Sequence, residues 1–265
     1  MNRLTDWLKY IFKKKWEQDY FYKYSKLNRK CKAILIIQEP PTVFRASYDK
    51  KNHKWFNKIM TWDERMVDNK RYFQFFYPQV MPKKLWDTPY DNKKFITMIC
   101  GNKHSTDRNE LYSERLNIIQ YFEQNNIEFD LYGFGWNKSD RTSYRGKVED
   151  KLYTMAKYKF SICFENMKSK SGYITEKIFD AFFSGCVPVY YGAEDISRFI
   201  PENTFIDYRK FDSLDELYLY LHSMDEIRYK EIISNINRYL QSDLYKSNFS
   251  IDSYVNRMAD IIIGD

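Results

Sequence analysis

The sequence is poor in the features that mark several protein classes. It has no uninterrupted apolar run of about 18 residues, so we expect no membrane-spanning helix. Only 8 glycines and 7 prolines occur among 265 residues, which excludes a fibrous or low-complexity protein. The 4 cysteines form no CxxC pair, and residues 1–30 lack the apolar core of a secretory signal. We therefore expect reduced thiols and a cytoplasmic protein.

Metal- and phosphate-binding patterns are missing too. The sequence contains no Asp-x-Asp, and its 3 histidines, His53, His104 and His222, are dispersed along the chain. There is no GxGxxG and no P-loop. We therefore expect no metal site and no cofactor.

Positive charge is present but concentrated at the start of the chain. The net charge is +7, and residues 1–30 hold 9 Lys/Arg against 3 Asp/Glu, which accounts for +6 of it. A nucleic-acid-binding protein is expected to spread basic residues over its binding face, so we expect no such partner. Within residues 1–16, apolar side chains recur at helical spacing just before Lys13, Lys14 and Lys15. The pattern fits a peripheral helix on the anionic inner face of the cytoplasmic membrane, and equally a helix packed on the protein.

The first part of the chain contains short strand patterns. Lys32–Gln38 is a predicted buried strand that stops at Glu39, because two prolines follow. Trp55–Trp62 and Tyr72–Tyr77 are predicted as further short strand or loop pieces.

The rest of the chain alternates strands and helices with short loops between them. The predicted strands include Phe95–Cys100, Phe129–Tyr132, Phe160–Phe164 and Val187–Tyr191, and this alternation predicts a doubly wound parallel sheet followed by C-terminal helices. Three prolines, at positions 78, 82 and 89, precede the first of these strands and indicate a connection between two domains. We therefore predict two domains, residues 1–92 and 93–265.

Polar chemistry is concentrated between Tyr158 and Asp207. A buried strand ends in Phe164-Glu165-Asn166, and a helix begins near Thr175-Glu176-Lys177. Ligands of open α/β sheets bind where strands end and helices begin. Thr175 can cap the helix, and a cation at Lys177 makes most sense if an anion such as a phosphate binds there. The alternative is that Glu176 and Lys177 form a solvated surface pair.

The same region resembles a known family. The run Tyr158–Asn166, followed by Gly172–Ala181, Gly185–Gly192, Phe199–Pro201 and Phe205–Asp207, resembles the signature of the α-1,3-fucosyltransferases, glycosyltransferase family ten. The resemblance implies a GT-B fold of two facing α/β domains and inverting transfer of fucose from GDP-fucose to a glycan. Weaker similarity extends from Lys32 to the C-terminus. The first domain is shorter than is usual in the family.

The resemblance also implies roles for individual residues. Lys177 would contact the diphosphate and Glu176 the ribose, while Asn166 and Tyr173 would line the donor pocket. The family uses an arginine on the diphosphate. Counting back from Tyr158 points to Arg141, with Arg145 as its competitor.

The general base implied by the resemblance is Glu39, although Pro40 stands where the family often has serine. If Glu39 is not the base, Asp63 and Glu64 are the next candidates. One carboxylate suffices for an inverting transfer, and Lys177 with an arginine can replace a metal ion at the diphosphate.

Two other functions stay open on the sequence. The same architecture could use a different nucleotide sugar, because no fucose contact is legible in the motif. The chain could also be a non-catalytic partner protein that kept the donor fold. For the acceptor, the resemblance implies a glycan with galactose and N-acetylglucosamine.

Overall fold

The structure is a computed structural model that describes residues 33–169 and 171–263. The chain divides into two compact units, of which the first ends at Phe75 and the second begins at Phe76. The predicted basic helix of residues 1–16 lies outside the described residues. No helix in the described ranges is both long enough and apolar enough to cross a membrane.

The first unit is built on a small parallel sheet. Its strands are β1 (Ile34–Ile37), β2 (Lys58–Thr61) and β3 (Tyr72–Gln74), in the order β1-β2-β3, with the short helix α1 (Lys50–His53) before β2. The predicted strand Lys32–Gln38 is thus confirmed in shortened form, and the predicted strand or loop pieces Trp55–Trp62 and Tyr72–Tyr77 contain β2 and β3. A core of four buried side chains packs the sheet: Leu35, Ile37, Phe56 and Ile59.

The side chain of His53 is also buried in this unit. Its Nε2 lies 2.8 Å from the Ser47 carbonyl oxygen and its Nδ1 lies 3.0 Å from the Tyr72 hydroxyl. Both contacts are satisfied by a neutral ring that donates to Ser47 and accepts from Tyr72. His53 therefore has a structural role in the first unit.

The second unit contains a six-stranded parallel sheet. Its strands are β4 (Lys94–Ile99), β5 (Phe129–Tyr132), β6 (Tyr144–Gly146), β7 (Tyr158–Ser169), β8 (Val187–Ala193) and β9 (Ile206–Asp207). The spatial order is β6-β5-β4-β7-β8-β9, and every adjacent pair is parallel. The order reverses direction between β4 and β7, as in doubly wound sheets. The predicted parallel sheet is confirmed.

Helices cover both faces of this sheet. They are α2 (Tyr112–Gln124), α3 (Lys151–Met155), α4 (Glu176–Phe183), α5 (Leu214–His222), α6 (Glu226–Gln241), α7 (Asp243–Phe249) and α8 (Ile251–Ile263). Alternate strand residues point to opposite faces. Accordingly, Phe160 and Ile162 pack with α2 and α5, whereas Cys163 and Tyr190 pack with α4 and α7. The two apolar cores explain why β7 and β8 read as continuous apolar runs.

The boundary between the units lies earlier than the predicted division at residues 92 and 93. Residues 76–92 belong to the second unit, because the Gln79 N–H donates to the Phe249 carbonyl at 2.7 Å and the Trp86 N–H to the Phe183 carbonyl at 3.1 Å. The Phe76 ring also packs on Phe249, with 5.6 Å between ring centroids. The prolines that suggested a linker therefore lie in a segment that packs on the second sheet's helices.

Candidate active site

The candidate site lies at the carboxyl edge of the second sheet, where β4 and β7 are neighbours. Two helices begin at this edge: α2 after β4 and α4 after β7. Helix N-termini carry partial positive charge and free N–H groups, so this edge favours anionic ligands. The motif residues from Glu165 to Lys177 include the end of β7, the loop that follows it and the first turn of α4, and they line this edge.

Glu165 is the fully buried centre of the motif. Its carboxylate accepts the Thr175 N–H and the Thr175 hydroxyl, each at 2.8 Å, and the Lys177 ammonium at 3.1 Å. Burial raises the pKa of Glu165 above its ordinary value, although Lys177 and the two hydrogen bonds from Thr175 act in the opposite direction. Sequence reasoning did not assign a role to Glu165, although it lies inside the quoted motif.

Thr175 occupies the N-cap position of α4 but does not cap the helix with its side chain. Its hydroxyl donates to Glu165, and the hydroxyl oxygen accepts the Lys177 ammonium instead of an N–H of the first turn. The predicted side-chain cap is therefore wrong. The physical reason is that Glu165 orients the hydroxyl and that the charged Lys177 ammonium is a stronger donor to its oxygen than a backbone N–H.

The Lys177 ammonium is oriented by this cluster. Besides Glu165, it contacts the Thr175 hydroxyl at 2.9 Å and the Glu176 carboxylate at 3.5 Å. Burial alone would lower the pKa of Lys177, but the two carboxylates raise it above its ordinary value. Lys177 is thus a charged, largely buried cation whose side chain keeps 20% of its surface exposed.

Glu176 lies at the start of α4 with half of its side-chain surface exposed. Desolvation opposes ionisation, but attraction to Lys177 and Lys151 prevails and lowers the pKa of Glu176 to about 2. The carboxylate is therefore ionised at neutral pH and can accept hydrogen bonds from the hydroxyls of a ligand.

Arg115 is a second buried cation beside the motif. It lies in the first turn of α2, is 5% exposed, and donates through one terminal nitrogen to the Phe164 carbonyl at 2.5 Å and to Asn166 Oδ1 at 3.1 Å. Asn166 in turn donates to the Tyr173 hydroxyl at 3.3 Å. The structure thus brings Asn166, Tyr173, Thr175, Glu176 and Lys177 together with Arg115.

Neither predicted arginine belongs to this cluster. Arg141 pairs with Glu123 at 3.2 Å, and Arg145 pairs with Asp130 at 2.5 Å. Asp130 also accepts Lys94, the first residue of β4, so this pair lies toward the amino end of the sheet. The structure does not bring Arg141 or Arg145 to the motif, and the arginine that lies beside it is Arg115. The available signal was its position in the first turn of the helix after β4.

Glu39 lies in the first unit, just beyond the end of β1, and is exposed. It lies within electrostatic reach of Tyr48, whose pKa is raised by burial first and then by Asp63 and Glu39. Asp63 forms a two-pronged ion pair with Arg65, at 2.8 and 2.7 Å. The carboxylate of Asp63 is thus engaged and buried, whereas Glu39 and Glu64 are exposed.

The second unit contains three free thiols. The residues that the structure describes form no metal centre. Cys100, Cys163 and Cys186 are free thiols, and burial raises the pKa of Cys163 to about 12. Across the described ranges, no three His, Cys, Asp or Glu side chains are grouped so that they could hold a metal ion.

Gly192 on β8 provides the space for Glu165. A Cβ at this position would lie 2.5 Å from Glu165 Cγ and 2.5 Å from the Tyr190 hydroxyl oxygen, and both side chains are buried. We expect Gly192→Ala to cost about 1–3 kcal/mol of unfolding free energy, since overpacked cores must shift. Denaturant unfolding measures this, with Gly101→Ala as the control because a Cβ there would come no nearer than 3.7 Å to any neighbour. An equal effect of the two substitutions would contradict the packing argument.

These features define a class of protein. A doubly wound sheet, with two buried cations and an exposed carboxylate at its switch point, is an α/β binding unit for an anionic, hydroxyl-bearing ligand such as a nucleotide. Solved structures support the fold. An α1,3-fucosyltransferase with GDP matches with a TM-score of 0.60 at 18% identity, over 89% of this chain and 76% of that one. The protein TarM matches with a TM-score of 0.58 at 11% identity, over 91% and 52%. The fold is of the GT-B type.

The sequence identifies the family. The family described as glycosyltransferase family 10 (fucosyltransferase), C-terminal part, matches residues 91–250, and this chain belongs to that family. The α-(1,3)-fucosyltransferase FucT of Helicobacter pylori is 31% identical over 132 residues, which is 49% of this chain and 25% of that protein. The mouse 4-galactosyl-N-acetylglucosaminide 3-α-L-fucosyltransferase 9 is 30% identical over 51% of this chain and 34% of its own length. The matches thus span about a third or less of these relatives.

Proposed function

We propose that this chain transfers L-fucose from GDP-fucose to a hydroxyl group of a glycan, with inversion at the anomeric carbon. The observation that carries the proposal is a pair of cations at the sheet edge within the family match, the buried Arg115 and the partly exposed Lys177. Glu165 and Glu176 both pair with Lys177, but part of the Lys177 ammonium stays exposed, and together with the free N–H groups that begin α4 it can bind a diphosphate.

In this proposal the donor site works by electrostatic stabilisation. When the glycosidic bond breaks, negative charge grows on the β-phosphate of GDP. Lys177, Arg115 and the N–H groups that begin α4 face that charge from fixed positions, which lowers the barrier without reorganisation. Glu176 accepts the ribose hydroxyls, and Asn166 and Tyr173 line the donor pocket.

The acceptor side needs one general base. In a single displacement the acceptor hydroxyl attacks the face opposite to GDP, so the β-linked donor gives an α-linked product. Glu39 is the proposed base, because an exposed carboxylate beyond a strand end can take the hydroxyl proton. The acceptor that we propose carries galactose and N-acetylglucosamine, as the printed name of the mouse relative suggests.

A transfer assay tests the proposal. The protein is incubated with N-acetyllactosamine and, in parallel, with GDP-fucose, GDP-mannose or UDP-galactose. We expect turnover with GDP-fucose and none with the other two donors. NMR of the product should show an α-linked fucose. Preferred use of another donor, or binding of GDP-fucose without any transfer, would favour the two alternative functions.

Turnover is also expected to survive chelation, because two side-chain cations already neutralise the diphosphate. We predict that the rate in excess EDTA stays within about twofold of the rate with Mg²⁺ or Mn²⁺. A fall to less than a tenth would reveal a metal requirement. The peripheral membrane contact of residues 1–16 stays a prediction.

A further inference from the structure

Phe134 is an exposed aromatic side chain in a well-anchored loop. It follows β5 between Gly133 and Gly135, whose φ angles are 130° and 80°, and 66% of its surface is exposed. The Asn102 N–H donates to the Phe134 carbonyl at 2.9 Å, and the Asn102 amide donates to the Gly135 carbonyl at 3.1 Å. The backbone of the loop is therefore fixed, while the ring extends into solvent.

The loop is tied to the end of β4. Trp136 Nε1 donates to the Cys100 carbonyl at 2.8 Å. A Cβ at Gly133 would lie 2.0 Å from the same carbonyl oxygen, so only glycine permits this approach. The sequence therefore builds a loop that holds Phe134 at the carboxyl edge of the sheet.

The ammonium group of Lys147 lies over the exposed ring of Phe134. Lys147 follows β6, and its ammonium lies 5.1 Å from the centroid of the Phe134 ring. Lys147 is exposed, and no ion pair to it is found within the described ranges. The aromatic face and the ammonium thus form one small surface, open to a ligand.

This surface lies beside the cations of the donor site. Because β5 and β7 flank β4, their carboxyl ends are separated by two strand spacings, about 10 Å. Cys100, just beyond the end of β4, lies between them. Burial raises the pKa of the Cys100 thiol to about 11, and the charges of Arg115 and Lys177 oppose that rise. A nucleoside can bridge from these cations across β4 to Phe134.

We propose that Phe134 and Lys147 form the subsite for the nucleobase of the donor, and that this subsite selects guanine. The inference rests on the proposed function. The Phe134 ring stacks on the base, and stacking on an aromatic side chain accepts any purine. Lys147 donates to O6 and N7, two acceptors that guanine presents on one edge, whereas adenine presents an amino donor in place of O6.

Calorimetry of GDP and ADP binding tests the subsite in three proteins: wild type, Phe134→Ala and Lys147→Met. We expect Phe134→Ala to weaken GDP binding by roughly tenfold or more. Lys147→Met is expected to reduce the preference for GDP over ADP by about tenfold and to leave ADP affinity nearly unchanged.

The chain offers a matched control pair away from this edge. Tyr153 on α3 is 49% exposed, and the Lys157 ammonium lies 4.0 Å from its ring centroid. The Lys157 carbonyl accepts the N–H of Lys94 at the start of β4, toward the opposite edge of the sheet. Tyr153→Ala and Lys157→Met should therefore leave the affinities for GDP and ADP unchanged.

Pyrophosphate binding separates the subsite from the proposed function. Phe134→Ala should bind pyrophosphate as wild type does, whereas Lys177→Met should lose both pyrophosphate and GDP. Wild-type GDP affinity in Phe134→Ala would overturn the subsite and leave the function intact. Equal GDP and ADP affinities in the wild type would overturn guanine selection. No GDP binding to the wild-type protein would overturn both proposals.

Discussion

Lys177→Met is expected to lower kcat/KM for GDP-fucose by about 10²–10³, the usual effect of removing one preorganised partner of a developing oxyanion. The methionine side chain retains most of the packing volume but donates no hydrogen bond to the diphosphate. Steady-state kinetics at saturating acceptor measure the loss. Lys210→Met is the control, because its ammonium forms an exposed surface pair with Glu202. A loss of less than threefold would contradict the assignment.

The same substitution leaves Glu165 buried without its cation, which is expected to destabilise the fold. The double variant Lys177→Met, Glu165→Gln removes both charges and separates the two effects. We expect it to recover part of the unfolding free energy lost by the single variant, with no recovery of kcat/KM. Recovery of both quantities would mean that Lys177 acts through the fold alone.

Glu39→Gln is expected to reduce turnover by about 10²–10⁴ while GDP affinity stays at the wild-type value. Glutamine preserves the size of the side chain but cannot take up the proton of the acceptor hydroxyl. Turnover at saturating acceptor and GDP calorimetry on the same preparation measure the two quantities.

Retention of more than half of the wild-type turnover by Glu39→Gln would place the base elsewhere. Glu64 would then be substituted before Asp63, because Asp63 is held by Arg65 through two hydrogen bonds. Asp63→Asn is expected to affect stability through that pair instead.

Local pattern predicted the donor unit well. The apolar runs Phe95–Cys100 and Val187–Tyr191 could be assigned as strands because both faces of β4 and β8 are buried. The strand β6 was not predicted. Tyr144–Gly146 is short and lies at the edge of the sheet, where strand residues are less buried and the sequence therefore shows no apolar run.

The structure brings together the predicted site residues that are neighbours in the sequence, and it does not bring the two predicted arginines to them. Residues 165–177 form one strand–loop–helix connection, so their proximity follows from the motif itself. Arg115 reaches Asn166 only because α2 begins beside the end of β7, a contact 51 residues apart in sequence. Likewise, nothing in the local sequence around Arg145 indicates that Asp130, on the adjacent strand, holds its guanidinium.

GDP calorimetry on Arg115→Gln and Arg145→Gln tests the central claim most directly, namely that the cations at the carboxyl edge of the second sheet bind the diphosphate. Both variants replace an ion-paired or hydrogen-bonded guanidinium with the same amide, and only the position differs. We predict at least a tenfold loss of GDP affinity for Arg115→Gln and less than a twofold change for Arg145→Gln, consistent with about 1.5–3 kcal/mol for a charged hydrogen bond. A greater loss for Arg145→Gln than for Arg115→Gln would contradict it.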